Sequence, residues 1–340
     1  MRIRVAAIAV VFAVSLPTVR AQTTPASASV TADNFNRAET DMQFGLSVKR
    51  GALGKFVHRR DLPLENTGVR PNRDTLYSEA VFDLDAGPVR ITLPKAGNRF
   101  MSMTVINQDH YVYEVDYTAG NYNFTRSEVG TRYVLMALRI FVDPADPKDV
   151  KEARALQDAV FVRQKTAGRF EVPNWDPVSQ KKVREWLLAL NSTLPDLRRA
   201  FGARFQVDQV RHLIGTAAAW GGNPDKDTVY LNVTPARNDG KTIYRLNIPA
   251  KTPVNAFWSI SVYDADGHPR KNEFNAYSLN SITAKKSTGG SVAIQFGGCD
   301  GKIVNCLPTL AGWNYMVRLY RPRDEILSGK WKFPEPQAVN

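Results

Sequence analysis

One stretch of this chain occurs twice. Asn98 to Asp109 (NRFMSMTVINQD), laid without a gap on Asn255 to Asp266 (NAFWSISVYDAD), shares Asn, Phe, Ser, Val and Asp at the same places. The likeness continues upstream in the same order. Arg73-Asp74-Thr75-Leu76-Tyr77 matches Lys226-Asp227-Thr228-Val229-Tyr230, and Ile91-Thr92-Leu93-Pro94 matches Leu246-Asn247-Ile248-Pro249. Three matched segments kept in the same order are the mark of a repeated unit. Strand-turn-strand patterning alone would explain the apolar alternation but not the shared Asp-Thr-x-Tyr. Both copies alternate apolar and polar residues between Gly and Pro punctuation, which predicts strands. The expected fold is therefore mainly β, with two β-sandwich or barrel-like domains, an internal duplication, joined by a helical segment.

Between the copies the period changes. Asp146-Pro147 and Asp176-Pro177 each place an N-cap acid before a proline at the first helical position, and Asp208 opens a third helix. A short helix is also expected from Thr31 or Asp33 to about Val48. The resulting division is a signal at 1–21, a loose leader at 22–32, a β-rich domain at 33–142, a helical linker at 143–222 and a second β-rich domain at 223–340. With 340 residues and 43% hydrophobic content, the chain can fill two cores.

Arg2 and Arg4 precede an apolar run from Val5 to Leu16, then Pro17 and Val19-Arg20-Ala21, which reads as a secretory signal cut after Ala21. That run is short of the roughly 20 residues a spanning helix needs. A periplasmic or secreted protein with no membrane span is expected. Removing Arg2, Arg4 and Arg20 takes the formal charge from +12 to +9, so the basic excess belongs mostly to the folded part. In an oxidising compartment Cys299 and Cys306, flanking a turn-rich loop, are most simply a disulfide.

Alternate residues of a strand share a face, so Arg73, Thr75 and Tyr77 should project together, as should Lys226, Thr228 and Tyr230. A cation, a hydroxyl and a phenol in line suit hydrogen bonding to a polyhydroxyl or anionic ligand. They also suit an ordinary solvent face. His110 follows Asp109, and His268 follows Asp266-Gly267, at matching strand ends; a carboxylate beside an imidazole can make a general base. Asp109, Asp74 and His110 are accordingly the candidate catalytic groups. His58 lies in a basic run and reads as solvated, and His212 in an apolar helix reads as core. Trp175, Trp220 and Trp313 fit either sugar stacking or a core. The chain lacks Gly-x-Ser-x-Gly, His-Glu-x-x-His, a Walker sequence and a dinucleotide glycine pattern, which disfavours the common hydrolase, zincin and nucleotide classes. No metal or other cofactor is expected. Nucleic acid fits the charge but no recognition motif.

Five strings, Asn72-Arg73-Asp74-Thr75-Leu76-Tyr77-Ser78, Met103 to Tyr111 (MTVINQDHY), Val172-Pro173-Asn174-Trp175-Asp176, Trp220-Gly221-Gly222-Asn223-Pro224 and Asn314 to Pro322 (NYMVRLYRP), carry a family resemblance. The chain resembles exported bacterial proteins that combine the domain-of-unknown-function families 1254 (N-terminal) and 1214 (C-terminal). The resemblance implies a mainly β, two-domain protein with helices between, and supplies no catalytic mechanism.

Together these readings lead to an exported, periplasmic or envelope-associated protein that binds a glycan or other polyhydroxyl or anionic ligand in a cleft between its β-domains. Arg73, Thr75, Tyr77, Lys226 and Tyr230 are the expected contacts. Two alternatives are a glycan- or ester-cleaving hydrolase or lyase using Asp109 or Asp74 with His110 and Tyr77 as acid-base groups, and a structural component of envelope assembly. Homo-oligomerisation stays open.

Overall fold

The computed structural model describes residues 27–62, 64–65 and 68–339; the signal stretch 1–21 and the first part of the leader lie outside the described residues. In its first half the chain forms β1 (Val57–His58), β2 (Thr75–Asp83), β3 (Val89–Leu93), β4 (Met101–Asn107), β5 (Val112–Asp116), β6 (Gly120–Phe124), β7 (Tyr133–Phe141) and β8 (Phe161–Arg163). In the second it forms β9 (Thr228–Val233), β10 (Tyr244–Ile248), β11 (Trp258–Tyr263), β12 (Ser278–Asn280), β13 (Val292–Phe296), β14 (Cys306–Leu307), β15 (Asn314–Tyr320) and β16 (Gln337–Ala338). The helices are α1 (Phe35–Lys49), α2 (Arg126–Val129), α3 (Pro147–Asp158), α4 (Pro177–Asn191), α5 (Gln209–Ala218) and α6 (Asp324–Leu327).

The sheets run β1-β2-β7-β4-β5 and β6-β3-β8 in the first half, and β12-β11-β15-β9 and β14-β13-β10-β16 in the second. Without the edge strands β1 and β14 the two halves have one strand order. β2-β7-β4-β5 corresponds to β9-β15-β11-β12, and β6-β3-β8 to β13-β10-β16, with antiparallel pairing throughout. In each half one core lies between the two sheets. Phe82, Val105 and Met136 meet Val89, Ile91 and Phe124 in the first. Ile260 and Val317 meet Leu246, Ile294 and Phe296 around Trp313 in the second. Where the halves meet, the repeated Phe100 and Phe257 cluster with Phe141 and Tyr320, which end the matching strands β7 and β15. The Phe100 and Phe257 rings lie 5.3 Å apart, and Phe257 stacks on Tyr320 at 4.2 Å.

At 28% strand and 20% helix, with four antiparallel-rich sheets and no closed barrel, the fold is mixed α/β, which corrects the mainly β expectation and its barrel form. The sheets keep free edges, such as β5 and β12. The helices add a layer of their own: α1 packs on α4, α5 and β2, while α3 packs on β2 and β7. Asp146, Asp176 and Asp208 cap α3, α4 and α5 by accepting from backbone N–H groups of the first turn. Val183, Leu187 and Ile214 of α4 and α5 bury against Phe35 and Ala38 of α1. β8 falls inside the stretch 143–222 expected to be helical, yet pairs with β3; three residues are too few for a period to show. The end of the leader is tied down, because the Ala28 N–H donates to the Asn174 carbonyl (2.7 Å) and Val30 is buried against α4 and α5.

Cys299 and Cys306 are joined by a disulfide. It closes a short exposed loop and ties it to β14. Replacing both with serine is expected to cost about 2.5 kcal/mol by the chain-entropy argument, read as a lower thermal midpoint, with the strand signal in circular dichroism unchanged at room temperature.

Candidate ligand cleft between the two halves

The matched strands place matched side chains. In β7, Arg139 sits opposite Tyr77 of β2 and Ser102 of β4. In β15, Arg318 sits opposite Tyr230 of β9 and Ser259 of β11. Residues directly opposite in an antiparallel sheet share a face, so each half carries an Arg, a Tyr and a Ser together. Each arginine holds its own sheet and reaches the other half. Arg139 Nη1 donates to Thr104 Oγ1 (2.7 Å) and Nη2 to the Gly221 carbonyl on the segment leading into β9 (3.0 Å). Arg318 Nη1 donates to Ser261 Oγ (3.0 Å) and Nη2 to the Arg70 carbonyl on the segment leading into β2 (2.9 Å). The exchange extends to the repeated acids. Asp74 accepts from Asn280 Nδ2 of the second half, and Asp227 from the Tyr117 hydroxyl of the first.

An open cleft of about 1670 Å³ runs along this junction. Tyr77, Arg139, Tyr230 and Arg318 line it, with Arg70 and Asn72 before β2 and the 218–222 segment after α5. It exceeds the roughly 300–1,000 Å³ of pockets for single small molecules. Seven arginines and four carboxylates line it among the described residues. Arg50 and Arg59 pair with Glu79, and Arg60 with Asp158. Arg70, Arg139 and Arg318 form no ion pair with a carboxylate among the described residues, although Asp74 acts through space on Arg318 and Asp227 on Arg139. Arg70 Nη2 donates to Asn314 Oδ1, while its buried Nε has no hydrogen-bond partner.

The two phenols differ. Burial pushes Tyr77 up, but the Arg139 charge beside it, the Asn72 hydrogen bond and Arg318 outweigh burial and hold it below the ordinary value. The Arg139 guanidinium lies 5.4 Å from the Tyr77 ring centre. Burial raises Tyr230, and the arginines do not reverse it. The buried Asp74 and Asp227 are both raised, chiefly by burial.

Of the five expected contacts, the structure brings Tyr77 and Tyr230 into the cleft. Thr75 is buried behind Tyr77, and Asn72 Nδ2 donates to both their hydroxyls (3.1 Å each). Arg73 precedes the pleat in the turn closed by Asn72 Oδ1 on the Asp74 N–H, so its side chain departs from the Thr75 and Tyr77 face. It donates instead to the Leu62 carbonyl and lies over the Tyr277 ring at 4.9 Å. Lys226 is exposed away from the cleft. Asp109 pairs with Arg37 on the surface, and Asp74 is buried between the halves. Trp220 lines the cleft, Trp175 donates to Asp41, and Trp313 is core.

His110 is fully buried, with φ of +66°. The Asn107 carboxamide closes its turn on the N–H groups of Asp109 and Tyr111, as the Asp264 carboxylate does on those of Asp266 and His268. His110 therefore corresponds to Gly267 (φ +84°), and Tyr111 to His268. The Gly221 N–H donates to His110 Nε2 (2.8 Å). Thr216 spends its proton on the His212 carbonyl, so it accepts from His110 Nδ1 (2.8 Å). Both nitrogens are committed, and the imidazole supports the cleft wall instead of meeting a ligand as a general base. His58, expected to be solvated, is half-buried at the cleft, 2.8 Å from Ser78 Oγ through Nδ1. Arg139 and Arg318 escaped the sequence reading. Their signal was a lone arginine at matching places in two otherwise apolar strands.

Burial, and to a lesser degree His212, holds His110 well below the usual imidazole value. A base depressed in the folded state contributes stability above its unfolded pKa of about 6.5 and loses it as pH falls toward the folded value. Asp116, raised to about 7 chiefly by burial, works in the opposite sense. The expected result is therefore a difference: between about pH 7 and about pH 5, wild type loses thermal stability faster than His110→Asn. Asparagine tolerates the left-handed backbone. Parallel melting curves for the two proteins would contradict the assignment.

The fold is one of two antiparallel sheet pairs flanked by helices around a shared cleft. The chain joins a DUF1254 segment, matched at 53–123, to a DUF1214 segment, matched at 230–324, in that order; each is described as a protein of unknown function. Tyr77, Tyr230 and Arg318 fall within the matches, and Arg139 between them. The fold is similar to the crystal structure of the VPA0106 protein from Vibrio parahaemolyticus, with a TM-score of 0.70 and 19% identity over 90% of this chain and 98% of that one. It is also similar to that of an uncharacterized protein from Burkholderia cenocepacia, with a TM-score of 0.51 and 13% identity over 91% and 88% of the two chains. At these identities the likeness is one of fold. No curated protein matches the chain.

Proposed function

We propose that this protein binds an acid-bearing glycan or similar anionic polyhydroxyl compound in the cleft between two β-sandwich units that arose by duplication. The observation that carries the reading is the group Arg70, Arg139 and Arg318, which line one cleft without carboxylate partners among the described residues. Burying guanidinium charge is costly unless an anion or dense hydrogen bonding offsets it. Tyr77 and Tyr230 add amphipathic rings suited to sugars, and the cleft volume suits an oligomer. The common strand order and the paired Arg-Tyr-Ser sets support the duplication. The reading places the protein in the periplasm or outside the cell, supported by the signal-like 1–21 stretch and by a disulfide of the kind that persists in oxidising compartments.

Calorimetry with the mature chain tests it, using oligogalacturonate against neutral oligosaccharides of equal length. Oligogalacturonate is expected to bind at least about tenfold more tightly, the worth of one charge-assisted hydrogen bond. Arg70→Gln should remove most of that preference. Equal affinity for neutral and acidic chains, or no binding to either, would refute the reading.

A further inference from the structure

The two tyrosines occupy matching register positions, yet their surroundings have diverged. Tyr77 receives a hydrogen bond from Asn72 Nδ2, which also donates to the Tyr320 hydroxyl (2.9 Å), and the Arg139 guanidinium covers its ring. In the second half the corresponding asparagine is Asn223, which lies two residues after the carbonyl held by Arg139, as Asn72 lies two after the one held by Arg318. Asn223 turns its side-chain amide to Thr228 Oγ1 (3.0 Å), accepts from Thr104 Oγ1, and gives Tyr230 only its backbone N–H. Arg318 Nη2 goes to the Tyr263 hydroxyl (2.9 Å). One phenol is thus surrounded by donors and positive charge, which favour its anion. The other, at the same cleft, keeps its proton. Two like groups driven apart in this way form an acid-base pair.

Of the acid-base groups legible in the sequence, Asp109 is held by Arg37, His110 has both nitrogens bonded and Asp74 is walled in between the halves. Tyr77 remains, and it faces the cleft. Ser78, the neighbouring hydroxyl, is buried and engaged by both His58 and Gln157, so it offers no free nucleophile. A base and an acid without a nucleophile suit proton abstraction followed by elimination. An arginine-neutralised carboxylate acidifies the carbon beside it and makes such abstraction feasible.

We propose that the cleft is the active site of a lyase acting on uronate-containing glycans, with Tyr77 as catalytic base and Tyr230 as catalytic acid, a reading that rests on anionic glycan binding in that cleft. The uronate carboxylate sits against Arg70. The Tyr77 oxygen takes the proton from the carbon next to the carboxylate. The C–H electron pair becomes a carbon-carbon double bond as the bond to the linking oxygen breaks, and that oxygen takes the Tyr230 proton. Tyr77 has gained one proton and Tyr230 has lost one, and exchange with solvent resets both. Water, metal and redox partner take no part in the balance.

The test incubates the mature chain with polygalacturonate, alginate and hyaluronate. The ultraviolet absorbance of the new conjugated double bond reports cutting, and mass spectrometry reports whether each cut added water. Unsaturated ends without added water are expected, with a rate that rises with pH as Tyr77 loses its proton. Tyr77→Phe, which keeps the ring, should lower the rate at least about 100-fold while oligogalacturonate still binds in preference to neutral chains. Tyr230→Phe should also slow the reaction. Binding of a uronate without cutting overturns the lyase and leaves the binding reading standing. Products that have gained water overturn elimination, and undiminished cutting by Tyr77→Phe overturns the base. Absence of binding to every uronate overturns both readings together.

Discussion

Alanine at Trp313 is expected to lower stability by about 4 kcal/mol, the range seen when a large aromatic leaves a packed core. The indole is fully buried at the centre of the second half, with the rings of Phe296, Tyr244 and Tyr315 centred 5.2, 6.0 and 6.1 Å away. Those aromatics belong to strands on both sheets and cannot close the void without leaving their pairing partners. The indole Nε1 is itself buried without a hydrogen-bond partner. Phenylalanine at 313 removes that polar group while keeping much of the volume, and should cost clearly less than alanine. Urea denaturation at constant slope measures both. A loss below about 1.5 kcal/mol for Trp313→Ala would show that the core is filled by something other than this residue.

Methionine at Arg139 should cost about 3 kcal/mol. The substitution keeps the chain length but leaves Thr104 Oγ1 and the Gly221 carbonyl short of a donor at the junction of the halves. Lysine keeps the charge and should recover little, since one ammonium cannot reproduce the fork that spans both acceptors. Arg318→Met should behave alike, and the double variant should lose less than the two singles combined, because both arginines close one interface. Denaturation midpoints, with limited proteolysis of the 164–176 segment as a second readout, decide the matter. Strict additivity would mean that the two arginines act on independent surfaces.

The repeat was legible because its strands are five to nine residues long in β2, β3, β4 and their counterparts, enough for alternation and shared residues to show. What escaped was set by contacts far apart in sequence. β8, β12 and β16 are two or three residues long and are strands only because a neighbour pairs with them. The helices could be read from their Asp and Asp-Pro starts, but the layer they build against the first half could not. His110 and His268 stand one position apart in the matched turns, and His110 corresponds to Gly267 because backbone conformation, not side-chain identity, governs the turn. Tyr77 and Tyr230 could be reached from strand alternation. Arg73 could not be placed, since the pleat begins only after the Asn72 turn has redirected it.

On the proposed duplication, the crossed reach of Arg139 and Arg318 has a consequence for ancestry. A single β-unit carrying this arrangement could satisfy its arginine only against a second unit, in the reciprocal geometry of a twofold homodimer. In such a dimer every substitution appears on both sides of the axis. Fusion of two copies into one chain lifts that restriction, and each position can then change alone. Histidine at one turn with glycine at its twin, and an asparagine side chain aimed at Tyr77 with its counterpart aimed at Thr228, are differences that a twofold homodimer of one chain could not carry.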